Sequence, residues 1–78
     1  MIVTTTETVP GRKITRIHGV VRGYTKLQTD SRERAEKRME AEARSIGADA
    51  IVGVRFMTGS DTEGAAEVLA YGTAVSLG

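Results

Sequence analysis

The chain has 78 residues, no cysteine and one histidine, and its 11 basic and 10 acidic side chains give a formal net charge of +1. This length accommodates one domain, residues 1–78, and the interspersed charges lack the basic patch of a nucleic-acid-binding protein. The absence of cysteine excludes disulfide bonds, and with His18 as the single histidine we do not expect a structural zinc site.

A domain of this size is marginally stable, because apolar burial at about 25 cal/mol per Å² nearly cancels an ordering cost of about 1.5 kcal/mol per residue. Oligomerisation is the remaining source of stability, and we expect a homo-oligomer. No apolar run approaches the roughly 20 residues of a membrane span, and residues 1–6 lack the pattern of a signal peptide. We therefore expect a cytoplasmic protein that binds neither membranes nor nucleic acids.

Two strands are predicted before the helix. Residues 1–6 are mostly β-branched, and a Pro-Gly turn at 10–11 separates them from a longer run over 13–26, which suggests an early hairpin. Within the longer run, Ile14 and Ile17 fall on opposite faces of a regular strand. We therefore expect a bulge or a strong bend between them.

The segment from Asp30 to Ile46 is predicted as a helix, with Asp30 as its N-cap, Glu33 three residues later, and Gly47 as its stop. Its apolar stripe recurs at spacings of four, four and three: Ala35, Met39, Ala43 and Ile46. A stripe this narrow covers one face of a sheet. Two acid–base pairs stand at i,i+4: Glu33 with Lys37, and Glu40 with Arg44. We interpret the charged helix surface as a solvated face rather than a docking surface.

The segment from Ala50 to Thr58 is predicted as a buried strand, with Phe56, the single phenylalanine, as the anchor of the core. Regular alternation assigns Ala50, Val52, Val54 and Phe56 to one face, and Ile51, Gly53, Arg55 and Met57 to the other. The loop GSDTEG at 59–64 contains two carboxylates, but their spacing is not that of an EF-hand. We interpret it as a solvated turn.

The last strand is predicted over 65–77. Regular alternation places Leu69, Tyr71, Thr73, Val75 and Leu77 on one face, and Ala66, Val68, Ala70, Gly72 and Ala74 on the other. Both faces are partly apolar, whereas one helix covers one face, so a second subunit is the simplest cover for the other. The predicted fold class is α+β, an antiparallel sheet of about four strands in the order β-β-α-β-β with one helix packed on one face.

Four segments carry a family resemblance: MIVTTTETVPGRKI, HGVVRGYTK, GADAIVGV and YGTAV. Together they resemble the successive motifs of the YbjQ-like family, and the match covers most of the chain. The resemblance implies a small α+β protein with the layout of a dodecin subunit, assembled into pentameric rings that are sometimes stacked. It also implies a heavy-metal-binding label, without an assigned biochemical role.

Two features depart from the family pattern. Residues 27–29 alone separate Lys26 from Asp30, where the family carries a long segment, so any contribution of that segment to ring size or to a pocket is missing. The metal label also finds little support, because soft metals prefer thiolate and thioether ligands and the three methionines are scattered. We expect neither a metal site nor a cofactor.

The sequence contains no pairing of nucleophile and base that catalysis would require, so we predict no catalytic residues and no enzyme activity. The candidate binding residues are His18, Arg22 and Arg55. A lone strand histidine is more often a surface or interface residue than a base. If Arg22 and Arg55 line a ring lumen or an interface groove, they could hold a small anion. The alternative is that each arginine pairs with a carboxylate of the helix or of a neighbouring subunit.

Three functional hypotheses follow from these observations. The leading one is an oligomeric ring that serves as a scaffold or interaction protein. The second is a small-molecule or anion-binding module at subunit interfaces, in the manner of dodecins, which stack flavin on an aromatic side chain. The aromatic residues present here are Tyr24, Phe56 and Tyr71. The third, an enzyme, would need an active site shared between two subunits.

Overall fold

A computed structural model describes residues 1–26, 31–60 and 66–78, and within them one α-helix packs on one face of a four-stranded sheet. The elements are β1 (Ile2–Val3), β2 (Ile14–Lys26), α1 (Ser31–Ser45), β3 (Ala50–Ser60) and β4 (Ala66–Leu77). The strand order in the sheet is β1-β3-β4-β2. The α+β class with one helix and four strands is therefore confirmed.

Some predicted features fall outside this description. The proposed N-cap Asp30 and the carboxylates of the 59–64 loop lie outside the described residues. Of the described residues, no helix has both the length and the apolar character needed to cross a bilayer.

The predicted N-terminal hairpin is wrong. β1 pairs with β3 in parallel, with Ile2 opposite Ala50, so the sheet is mixed rather than antiparallel. Residues 4–13 are too many for a tight hairpin turn. They cross one face of the sheet instead, and Val9 is buried there in a cluster with Val52 and Val75. Burial of the Val9 side chain stabilises this path of residues 4–13 across the sheet face.

The predicted irregularity in β2 is confirmed, and the strand contains two register shifts. The register against β4 shifts between Ile14 and Arg16, and again between Ile17 and Gly19. Each shift leaves one extra residue in β2, which is the definition of a β-bulge. The two bulges bend the first half of β2 and leave the second half, from Val20 onward, in regular register with β4.

A further bulge in β3 makes the predicted face assignment of that strand wrong. The register against β4 shifts between Val52 and Arg55, and Gly53 adopts a positive φ of 61°. Because one extra residue is inserted there, Val54 joins Ile51 in the core beneath the helix, although alternation assigned them to opposite faces. After the bulge, Arg55 lies on the same face as Val52.

Helix α1 ends as predicted at Gly47, which adopts a φ of 79°. The Gly47 amide donates to the Arg44 carbonyl at 3.1 Å and the Ala48 amide to the Ala43 carbonyl at 3.1 Å, the pattern of a Schellman cap. The predicted stripe is buried at Ala35, Met39 and Ala43. Ile46 is 45% exposed, because it lies beyond the last helical turn, and its assignment to the stripe is wrong.

Both predicted ion pairs on the helix are confirmed. Lys37 Nζ lies 3.4 Å from Glu33 Oε1, and Arg44 Nη2 lies 3.5 Å from Glu40 Oε1. Pairs of this kind stabilise an exposed helix by roughly 0.2 to 0.5 kcal/mol each. The helix is therefore held in place by its apolar stripe rather than by its charges.

Two apolar clusters lie on opposite faces of the sheet. The cluster beneath the helix contains Val21, Ala35, Met39, Ala43, Ile51, Val54, Ala70 and Ala74. The cluster beneath residues 4–13 contains Val9, Ala50, Val52 and Val75. Among the residues whose burial is described, Met39 is the largest fully buried side chain. Phe56 is only partly buried at the margin of the first cluster, with the Arg32 guanidinium 4.9 Å from its ring centroid, so Met39 rather than Phe56 anchors the core.

Gly23 allows the close approach of α1 to β2. A Cβ atom at this position would overlap the Ala35 carbonyl oxygen and the Met39 amide nitrogen. We expect Gly23→Ala to destabilise the protein by about 3 kcal/mol, because the backbone of the helix must move off the strand. Urea unfolding followed by circular dichroism, at one protein concentration for all variants, measures this loss.

Gly59→Ala is the matched control, because a Cβ atom at Gly59 would meet no atom within 4 Å. Its unfolding free energy should stay within about 0.5 kcal/mol of the parent value. Equal stability of the two alanine variants would contradict the described packing of α1 on β2.

A second comparison tests the helix stripe. We expect Met39→Ala to cost about 2 to 5 kcal/mol, since it removes a fully buried side chain from the main core. Ile46→Ala should cost less than about 1 kcal/mol, because this side chain is nearly half exposed. The same urea titrations measure the unfolding free energies of both variants. A larger loss for Ile46→Ala than for Met39→Ala would show that Ile46 packs against the sheet as part of the stripe.

Candidate functional site

The sheet face opposite the helix is covered at one end and open at the other. Residues 4–13 cover the end that contains Ala50 and Val75, through the buried side chain of Val9. Three successive cross-strand rows form the other end: Arg55–Tyr71–Arg22, Met57–Leu69–Tyr24 and Gly59–Glu67–Lys26. Residues directly opposite in antiparallel strands project from the same face. We call these three rows, with Val20, the open face.

The open face exposes large apolar side chains. Val20 is 59% exposed, Met57 56% and Tyr24 42%. Leu69 and Tyr71, between them on the central strand β4, are partly buried. Isolated apolar residues are ordinary on a protein surface, but neighbouring ones on one sheet face form a patch of the kind that contacts a partner or a ligand.

Two cavities lie along this face. One, of about 290 Å³, is lined by Val20, Arg22, Met57, Leu69 and Tyr71. The other, of about 200 Å³, is lined by Tyr24, Met57, Thr58, Gly59, Glu67 and Leu69. Because they share Met57 and Leu69, they form one shallow groove along β4, which we call the groove. At its far end the Tyr24 hydroxyl donates to Glu67 Oε1 at 2.9 Å.

The structure brings Arg22 and Arg55 into one row, on either side of Tyr71. Arg55 Nη1 donates to the Thr5 carbonyl at 3.0 Å and to the Val54 carbonyl at 2.8 Å. Arg55 therefore ties residues 4–13 to the sheet. Arg22 is exposed, and no hydrogen-bond or ion-pair partner contacts it among the described residues.

His18, the third predicted binding residue, lies apart from the two arginines. Its Nε2 atom is 2.7 Å from Ser76 Oγ. Ser76 neighbours Val75, which belongs to the face of Arg22 and Arg55, so alternation places Ser76 on the opposite face of β4. His18 is one of the extra residues of the β2 bulges, and its hydrogen bond to Ser76 anchors that bend.

Sequence reasoning identified the two arginines and the second apolar face, but it missed the groove. Met57 and Arg55 were correctly predicted to share a face. Because of the bulge at Gly53, Val52 also lies on that face, although regular alternation assigned it to the opposite one. The contact between Tyr24 and Glu67 joins strands that are distant in the chain, and no local pattern signals it.

Comparison with known proteins identifies the family of this fold. The model of the family described as "Putative heavy-metal-binding" matches residues 21–78, most of the chain. The chain belongs to the YbjQ-like family. A UPF0145 protein of Vibrio campbellii is 42% identical over 99% of both chains, and one of Thermotoga maritima is 40% identical over 99% of this chain and 97% of its own.

A solved structure supports the fold. A protein of unknown function from Pediococcus pentosaceus, assigned to the DUF74 family, superposes with a TM-score of 0.75 at 22% identity, over 100% of this chain and 98% of its own. The alignments with the UPF0145 proteins extend over 103 residues, whereas this chain has 78, so those relatives carry residues without a counterpart here. We predict such a difference at residues 27–29, which lie outside the described residues.

The heavy-metal description of the family does not fit the side chains of this protein. Soft metal ions require thiolate or thioether ligands, and the chain has no cysteine. Met39 is buried in the core, whereas Met1 and Met57 are exposed. Among the described residues, no three of the His, Asp and Glu side chains come together as a metal-binding group.

Substitutions of the two arginines should have different effects on residues 4–13, because only Arg55 donates to the Thr5 carbonyl. We expect Arg55→Gln to loosen residues 4–13, because the Thr5 carbonyl loses its guanidinium donor. The Gly53 and Val54 amides, which donate to Thr6 and Thr4, should then exchange hydrogen faster. Hydrogen exchange resolved to these two amides measures the change.

Arg22→Gln is the matched control, since Arg22 lies in the same row but makes no hydrogen bond to residues 4–13 among the described residues. It should leave the Gly53 and Val54 amides at the parent rate. Equal acceleration in both variants would show that Arg55 does not act through the Thr5 contact.

Proposed function

We propose that this protein is a homo-oligomeric scaffold or interaction protein, cytoplasmic and built on a pentameric ring of dodecin-like subunits. The open face is the observation that supports this proposal. One helix covers a single face of the sheet, and the rows that contain Val20, Tyr24 and Met57 expose apolar side chains on the other. A neighbouring subunit is the cover that a domain of 78 residues requires for this surface.

The sheet edges support a ring. Within the described residues, the outer edge of β2 has no strand partner, and β1 pairs with β3 only at Ala50 and Ile51. In the part of the chain that the structure describes, no strand pairs with the outer edge of β3 from Phe56 onward. Two different edges on opposite sides of one sheet suit a head-to-tail contact, and such contacts close into rings when the rotation permits.

A charge on the open face tests the assembly. We expect the double variant Val20→Glu, Met57→Glu to lose the multimer, or to form it only at a tenfold or higher protein concentration, because both side chains become charged at the covered surface. Native mass spectrometry of the parent protein should show a multiple of five subunits, and of the variant smaller species.

Ile46→Glu is the control, since Ile46 is exposed to a similar degree at the end of the helix, away from the open face. It should assemble as the parent does. A parent protein that is monomeric at every concentration would overturn the scaffold proposal.

A binding module for small anions at the subunit interfaces is a second candidate. The observation that favours it is the position of Arg22, which lines an apolar cavity and has no partner among the described residues. A guanidinium beside an apolar wall is the usual recognition unit for an anion with an organic body.

A further inference from the structure

We propose that the groove binds an amphipathic organic monoanion, with a carboxylate head on Arg22 and an extended apolar body along Tyr71, Leu69 and Met57. This inference rests on the second candidate function, the anion-binding module, and names its ligand class.

The head of the ligand is assigned by the row Arg55–Tyr71–Arg22. Arg22 is exposed and its guanidinium has no acceptor within the described parts of the chain, so it can bind a carboxylate through two parallel hydrogen bonds. Arg55 adds a second positive charge, and its Nη1 atom is already held by the Thr5 and Val54 carbonyls. Arg55 itself lines neither cavity, so Arg22 is the guanidinium that binds the carboxylate, and Arg55 contributes only its charge from the same row.

The body of the ligand is assigned by the wall of the groove. Val20, Tyr71, Leu69 and Met57 line the cavity next to Arg22, and Leu69 and Met57 continue into the cavity beside Tyr24. From Tyr71 to Glu67 the strand rises four residues, which is about 13 Å at the rise of an antiparallel strand. A short anion such as acetate would leave this wall in water, whereas a medium-length chain covers it.

The far end of the groove selects against a second negative charge. Glu67 lines that end, whereas Lys26, its cross-strand neighbour in the same row, lines neither cavity. The Glu67 carboxylate already accepts a hydrogen bond from the Tyr24 hydroxyl at 2.9 Å. A ligand with a carboxylate at each end would place its second charge against Glu67. The groove therefore prefers a monoanion with an apolar tail to a dianion of the same length.

The same charges favour this ligand over direct contact between two bare open faces. Among its described residues, each open face presents Arg22, Arg55 and Lys26 against one carboxylate, Glu67, so two identical faces bring an excess of positive charge together. An amphipathic anion between them supplies the missing negative charge and fills the groove. Its binding is then linked to assembly, and it should lower the protein concentration at which the multimer forms.

The test is isothermal titration calorimetry of the intact protein with four probes: decanoate, decanedioate, decanol and acetate. We expect decanoate to bind, decanedioate to bind more weakly, and decanol and acetate to give no measurable binding. Arg22→Gln should weaken decanoate binding by at least about tenfold, because a hydrogen-bonded charge pair is lost. Arg22→Lys, which keeps the charge but not the fork of donors, should fall between.

Arg34→Gln is the matched control, because Arg34 is an exposed arginine on α1 whose substitution leaves the groove intact. It should bind decanoate as the parent does, and circular dichroism verifies that each variant is folded. Decanoate binding that survives Arg22→Gln unchanged would overturn the proposed site.

Two further outcomes separate this inference from the functions on which it rests. If acetate binds as tightly as decanoate and Arg22→Gln abolishes both, the amphipathic class is overturned while the anion-binding module is supported. If no probe binds a protein that native mass spectrometry shows to be assembled, the ligand and the module are both overturned, and the scaffold stands alone.

Discussion

The close approach of the helix to β2 at Gly23 is the constraint on which the rest of this structure depends. With no Cβ atom at this position, the backbone of α1 lies directly on the strand beside Ala35 and Met39. Arg38 adds a hydrogen bond from its guanidinium to the Tyr24 carbonyl. A domain with one helix must place it where burial is greatest, and here that is over β2 and β4. The opposite face is left to residues 4–13, whose single buried anchor, Val9, covers only part of it.

Bulges decide which side chains meet on that opposite face. Without the extra residue at Gly53, Arg55 would project toward the helix-side core rather than beside Tyr71. In β2, the strand on the other flank of β4, the two bulges shift the register so that Arg22 pairs with Tyr71. The row of two arginines about a tyrosine is thus a product of local irregularities in both flanking strands.

The sequence predicted those parts of the fold that local patterns encode. The helix, its glycine stop, its two ion pairs and the slip in β2 all depend on spacings of a few residues, and each is found as predicted. The pairing of β1 with β3 depends on residues nearly fifty positions apart, which no local pattern reports. The faces of β3 were misassigned because a glycine inside a strand signals a bulge without giving its register. The same limit hid the groove, whose lining comes from three strands.

The pairing of β1 also has a consequence for the order in which the chain folds. β1 is synthesised before β2, the helix and β3, and it pairs with the segment that begins at Ala50. Contacts between residues this far apart in the sequence form late in folding, because other contacts must first offset the entropy lost on closing the loop. We therefore expect the pairing of β1 with β3 to form after the helix has packed on β2.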